Sequence, residues 1–345
     1  MNFSLVFLKH RFRFSLFYVL FGIISIILEL LIRKYILNEL SFFTSSFLSV
    51  LIGVFISFFL NVKFNFKIAK PKRNRALFYF CLISFFSYSL QIFLIQLELL
   101  DLGYEISRFT TAGIFFWIGY LFHLKFSFSD YKKVGVAVYA NGFENIPFIY
   151  NKIRHYPDFI HVDIVDKTFN ENAKDVLTYK TEVIKAYWNN KPIEAHIMSK
   201  NPKKWIIDVA DNVDKIFVHT NIDDNLEEIL DLINSKSCEA GIVIHKMSDL
   251  DFYELYKEKI KHLLVLSIEN PGYSGQEFNN NSLKIIDKIN NHKDRPNLTL
   301  CVDGGVNKKT IEKIPSENVV SGSYVLNSET SEKNIVILQT SSKYE

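Results

Sequence analysis

Cysteine is scarce: Cys81, Cys238 and Cys301 are the only three in 345 residues, and no two form a CxxC pair. That excludes a disulfide framework and leans toward a reducing compartment. Acidic residues are scarce in one region only. Residues 1–130 hold 13 Lys/Arg against 6 Asp/Glu, a net of +7, whereas residues 131–345 hold 27 against 31, a net of −4. The whole chain reaches only +3, which argues against a nucleic-acid partner. The N-terminal stretch is expected to open a membrane protein, not to be a cleaved leader. "MNFSLVFLKHRFRF" is basic, but the apolar run after it is too long for a signal h-region and more such runs follow. Two regions of opposite charge and different apolarity predict two domains in different solvents, residues 1–130 and 131–345.

Most of the 32 phenylalanines lie before residue 130, and four segments there approach the roughly 20 apolar residues of a bilayer crossing. They are Phe14–Ile32, Phe43–Leu60, Leu77–Leu97 and Phe109–Leu124. Lys9, Arg11 and Arg13 precede the first, "KIAKPKRNR" separates the second and third, and Lys125, Lys132 and Lys133 follow the fourth. The turn "LELLDLGYE" is acidic. By the excess of cations on cytoplasmic loops, both termini are expected in the cytoplasm of a multi-pass inner or plasma-membrane protein; Arg33 and Lys34 dissent. "FLNVKFNF" (59–66) and "LFHLKFSF" (121–128) echo each other in register, which predicts a duplicated hairpin. Glu29 shares a helical face with Gly22 and Ser25, and an ionisable group within a span is a functional candidate. Its other reading is a partner for Arg33 or Arg108, or a side chain that snorkels to the interface.

The run "RFSLFYVLFG", the late acid in span one and "FLNVKFNF" resemble the GtrA-like membrane family over about residues 10–128. The resemblance implies a membrane lipid or polyprenyl-linked sugar as partner, in cell-surface polysaccharide assembly.

After residue 131 the texture changes. Eight β-rich runs recur at 20–35-residue spacing: "VGVAVYA", "FIHVDIV", "PIEAHIM", "KIFVHT", "AGIVIH", "HLLVLSI", "LTLCVDG" and "NVVSGS". Amphipathic stretches such as "NLEEILDLINS" lie between them, so the pattern predicts a (β/α)₈ TIM barrel. A doubly wound sheet is the alternative; it would usually have fewer strands and a Gly-rich first turn, which "ANGFEN" is not. Alternation puts His161, Asp163 and Val165 on one strand face. Side by side, two such polar groups cost free energy unless something pairs with both. Catalytic groups of such barrels sit at the C-terminal strand ends. Those ends carry His161, Asp163, His196, His219, His245 and Asp303. Two imidazoles and two carboxylates suit a divalent transition metal. Glycine-rich loops "NPGYSGQ", "DGGV" and "SGS" follow late strands, where backbone N–H groups commonly cradle phosphate.

"HVDIVD", "HIMSKNP", "NPGYSGQEF", "VDGGVN" and "SGS" together resemble the ribulose-phosphate 3-epimerase family over about residues 133–328. The resemblance implies an isomerase that epimerises a phosphorylated sugar with one divalent metal (zinc, iron or manganese). It makes His161, Asp163, His196 and Asp303 the ligands, with Asp163 and Asp303 the acid–base pair. It assigns Met198, Gly272, Gly275, Gly304, Gly305, Gly322 and Ser323 to substrate and phosphate. Two carboxylates on opposite sides of a carbon next to a ketone remove its proton from one face and return one to the other. The chain departs from the family at Ala137, where a serine is usual, and at Val165, Lys167, Leu266 and Ser274, all expected to reshape the pocket. A barrel that senses sugar phosphate without turnover, regulating the membrane unit, is the alternative. A homo-oligomer is compatible with either.

Overall fold

A computed structural model of the protein describes residues 5–66, 73–96, 104–127, 132–142 and 144–340. Most of the acidic turn before the fourth span and most of the basic segment after the second lie outside them. The chain divides into two compact units, Leu8–Asp130 and Tyr131–Ser342.

The first unit is helical: α1 (Leu5–Tyr35), α2 (Phe42–Leu60), α3 (Arg73–Gln96) and α4 (Tyr104–Phe122). Ser41 caps α2, its hydroxyl accepting the Thr44 N–H. Among the described residues, three stretches are long and apolar enough to cross a membrane, Phe14–Tyr35, Phe42–Asn65 and Arg73–Phe93. The fourth helix begins five residues before its predicted span and takes in the charged Glu105 and Arg108. The two echoing segments share a local structure. Each ends its helix in a widened turn, Asn61–Asn65 and His123–Ser127. In the first, Asn65 Nδ2 donates to Asn61 Oδ1 at 3.0 Å; in the second, His123 Nδ1 and Ser127 Oγ are hydrogen-bonded at 2.9 Å. The register read in the sequence therefore extends to matched polar pairs four residues apart.

The second unit is a closed eight-stranded parallel barrel in sequential order. Its strands are β1 (Lys133–Tyr139), β2 (Phe159–Val165), β3 (Ile193–Met198), β4 (Lys215–Val218), β5 (Glu239–Ile244), β6 (His262–Leu266), β7 (Thr299–Asp303) and β8 (Asn318–Ser321), and β1 pairs with β8 to close it. Outward residues such as Ile160, Val162 and Ile164 join the main core beneath the helices. The helix Leu226–Ser235 shows why: Leu226, Ile229, Leu230 and Ile233 fall on one face and are buried, while Asn225 caps its first turn. Burial of each such side chain contributes about 1.5–3 kcal/mol.

Inward residues fill the barrel below the mouth: Ala137, Phe159, Phe217, Val243, Leu264, Leu266, Cys301 and Val320. Two strand glycines make room for the rings. A Cβ at Gly135 would lie 2.1 Å from the Phe159 ring, and one at Gly241 2.5 Å from Phe217. Leu266 belongs to this plug and lines neither cavity described below.

Candidate metal and phosphate site

β2 and β3 lie in register with Asp163 opposite His196 and His161 opposite Glu194, and Asp303 ends β7. Ligand atoms of His161, Asp163, His196 and Asp303 all fall within 4.8 Å of one another. His161 Nε2 lies 3.3 Å from Asp163 Oδ1 and 4.0 Å from Asp303 Oδ2, and His196 Nδ1 lies 3.2 Å from Asp163 Oδ1. His161 Nε2 is buried and makes no hydrogen bond. A buried nitrogen without a partner, beside two carboxylates, costs free energy unless a cation completes it. The donor set, two imidazoles and two carboxylates, fits a divalent transition metal.

Glu194 was not read as a site residue in the sequence, yet it holds the site together. Its Oε1 accepts from His161 Nδ1 at 2.9 Å, which leaves Nε2 as the nitrogen facing the carboxylates. The available signal was parity: Glu194, His196 and Met198 share one face of β3. His219, just past the end of β4, hydrogen-bonds His196 Nε2 to Nε2 at 3.0 Å and so backs a ligand candidate without joining the cluster. His245 is tied elsewhere, to the Ile268 carbonyl at 3.0 Å.

The electrostatics separate the two aspartates. Burial opposes ionisation of Asp163, but the His161 and His196 rings beside it outweigh burial and hold its carboxyl well below the usual range. Asp303 is pushed up to about 7 by burial, with His161 pulling it down and Asp163 and Glu194 raising it. Burial depresses His161, yet Asp163 and Glu194 together raise it above its ordinary value. Burial also lowers His196 and His219.

A cavity of about 800 Å³ opens on Asp163 and Asp303 and is lined by Gly275, Gly304, Gly305, Gly322 and Ser323. Five of the proposed phosphate-binding residues are thus gathered with two of the ligand candidates. The cradle needs glycine at Gly305, where φ is +64° and a Cβ would lie 2.5 Å from the Phe278 nitrogen. Ser267 fixes the end of β7, donating to the Asp303 and Gly304 carbonyls at 2.8 and 2.6 Å. Gly272 lies instead on an adjoining cavity of about 540 Å³ with Val165, Ser274 and Tyr273. Met198 is buried at the end of β3 and lines neither.

Lys167 corrects one expectation. Its side chain points to the surface, pairing with Asp175 at 2.9 Å, and does not shape the pocket. Asp166, next to it, acts as a loop clasp. Its carboxylate accepts from Ser199 Oγ at 2.5 Å, the Thr168 N–H at 2.9 Å and Trp205 Nε1 at 2.8 Å. Burial works against its ionisation, and these donors overcome that to lower its pKa.

In the membrane unit, Glu29 is buried and receives Arg108 through Nε at 2.9 Å and Nη2 at 3.0 Å, with Gln91 Oε1 taking Nη1. Of its two candidate arginine partners, Arg108 is the one engaged; Arg33 is paired with Glu105. Gly53 permits the packing, since a Cβ there would sit 3.2 Å from Glu29.

A closed eight-stranded parallel barrel that gathers two histidines, two aspartates and a glycine-lined cavity at its mouth is a TIM-type barrel with a candidate metal-binding group. More narrowly, the chain belongs to the ribulose-phosphate 3 epimerase family, whose description matches residues 141–326. The GtrA/DPMS transmembrane domain description matches residues 17–128. The chain is similar to the ribulose-phosphate 3-epimerase of Buchnera aphidicola subsp. Baizongia pistaciae, 29% identical over 52% of this chain and 82% of that one. That of Buchnera aphidicola subsp. Schizaphis graminum is 29% identical over 46% and 69%. The Escherichia coli K12 enzyme is 28% identical over 46% and 70%.

Proposed function

We propose that residues 131–345 form a metal-dependent epimerase of a ketose phosphate, a pentulose phosphate in the simplest case. Residues 1–130 form a four-span membrane unit that handles a lipid-linked sugar in cell-surface polysaccharide assembly. Both termini and the barrel lie in the cytoplasm. The observation that carries the reading is the gathering of His161, Asp163, His196 and Asp303 around the unpartnered His161 nitrogen.

The aspartates suit the two halves of an epimerisation. In the metal-free site the flanking imidazoles favour ionised Asp163, whereas burial pushes Asp303 up to about 7, so the two carboxyls differ in proton affinity as an acid and a base must. A divalent metal bound by the four residues would supply positive charge against the negative charge that develops on the substrate oxygens. Gly305, Gly322 and Ser323 fix the phosphate end, so the reacting carbon is presented between the carboxylates rather than tumbling.

Protein purified with zinc, iron or manganese should exchange the C3 proton of ribulose 5-phosphate or a related ketose phosphate with solvent deuterium. Asp163→Asn should slow that exchange by about 10²–10⁴-fold. Absence of exchange with every ketose phosphate tried, in protein that binds them, would establish the non-catalytic sensor instead.

A further inference from the structure

We infer that Tyr139 positions the substrate: its phenol donates a hydrogen bond to a substrate oxygen beside the reacting carbon. The inference rests on the epimerase reading above. Tyr139 is the last residue of β1 and stands opposite Asp163 in register. Alternation puts Ala137 and Tyr139 on the same inward face, and both line the cavity that holds Asp163, Asp303 and the glycine cradle. Ala137 has no polar atom to offer there. Tyr139 does, two residues further up the same face.

The residue is anchored in a way that leaves its hydroxyl uncommitted. Its backbone N–H is taken by Glu144 Oε2 at 2.9 Å, which fixes the strand end. Among the described residues, no group is hydrogen-bonded to the phenol oxygen. Tyr139 also lines the adjoining cavity, as do Glu144, Tyr273 and Ser274. These four residues form the partition between the two chambers, and Tyr139 is the one of them that β1 sets opposite Asp163. An ordinary phenol titrates near 10, so the group presented to a substrate at neutral pH is an O–H donor. The carboxylates of Asp163 and Asp303 only accept when ionised, so a hydroxyl donor complements them around a sugar that offers oxygens on every carbon.

The test uses the full chain in detergent, loaded with metal, with ribulose 5-phosphate as substrate and inorganic phosphate as the probe of the cradle. Tyr139→Phe removes the hydroxyl and keeps the partition. It should lower kcat/KM by about 10–100-fold, the loss of one hydrogen bond to a buried substrate oxygen, while the Kd for inorganic phosphate stays within about twofold of wild type. Adding Ala137→Ser to that variant, which returns a hydroxyl to the same wall, should recover part of the loss. A Tyr139→Phe protein as active as wild type would overturn the inference. So would one whose phosphate binding weakens in step with its activity, since that reports a general distortion.

Failure of the underlying reading looks different: wild type then exchanges no proton with any ketose phosphate. Equilibrium binding still decides for Tyr139 in that case. Weaker ribulose 5-phosphate binding with unchanged phosphate binding in Tyr139→Phe supports it, and equal binding to wild type overturns it.

Discussion

In the membrane unit the Glu29 carboxylate is met by two nitrogens of Arg108, with Gln91 on the third, whereas at the barrel mouth His161 turns a buried nitrogen toward two carboxylates and bonds to neither. Both places bury charge among apolar surroundings, where desolvation is costly. The first is a closed set in which every guanidinium nitrogen has an acceptor. The second is left incomplete by the protein alone. Internal completion suits a group that holds helices together, whereas a buried nitrogen facing two carboxylates suits the ligand role proposed for it.

This contrast can be broken from either side. The largest effect is expected from opening the closed set. Arg108→Ala alone leaves Glu29 as an uncompensated buried charge and should destabilise the membrane unit by about 3–5 kcal/mol. Glu29→Leu combined with Arg108→Met should be far milder, as read by reversible unfolding in detergent. A single variant as stable as wild type would show that water reaches Glu29. Next in size is Glu194→Gln, which weakens the hold on His161 and should reduce metal affinity about 10–100-fold in chelator competition, with the fold intact.

The smallest net effect is on pH, because the groups of the site pull in opposite directions. In metal-free protein the folded Asp303 titrates near 7, above its unfolded value of about 3.9. The folded state then binds the extra proton, so its contribution is full below about 4 and is lost as pH rises through 7. Asp163 is depressed instead, so its contribution is present above the unfolded value and is lost as pH falls toward its folded pKa. His196 and His219, both lowered by burial, pull the wild-type curve the other way, so the Asp303 part is read as a difference: by chemical denaturation in chelator, the stability advantage of wild type over Asp303→Asn should shrink between about pH 4 and 7. Metal affinity should rise across the same window, because the ligand must lose its proton.

The barrel was legible because its signals are local. Alternating apolar runs gave all eight strands, β2 to the residue, and the motifs around them put His161 and Asp163 on β2, His196 on β3 and Asp303 at the end of β7. What escaped depends on pairing between strands. Glu194 matters only because β3 sets it opposite His161, and a lone glutamate in an apolar run does not declare its neighbour. Lys167 was placed near the pocket by its position after β2, but Asp175 draws it outward. His219 was read as one more strand-end imidazole, and its link to His196 emerges only once β3 and β4 lie side by side. In the first unit the apolar runs announced the helices, while the extension of α4 through charged residues ran against composition.

The widened turn after α2 carries a consequence of helical phase. An ideal helix advances about 100° per residue, and a turn that closes from Phe66 N–H back to the Asn61 carbonyl accommodates one residue more than usual. That extra residue sets where the following side chains point. Phe64 is 51% exposed, whereas Phe66 is 2% exposed and stacks on Phe14 with ring centroids 5.6 Å apart. Removing one residue between Asn61 and Asn65 would return the helix to its ordinary phase and swing Phe66 by about 100°, out of its place against α1. The first copy of the motif thus acts as a clutch that sets the rotation of the chain as it leaves α2, and the widened turn itself recurs at His123–Ser127.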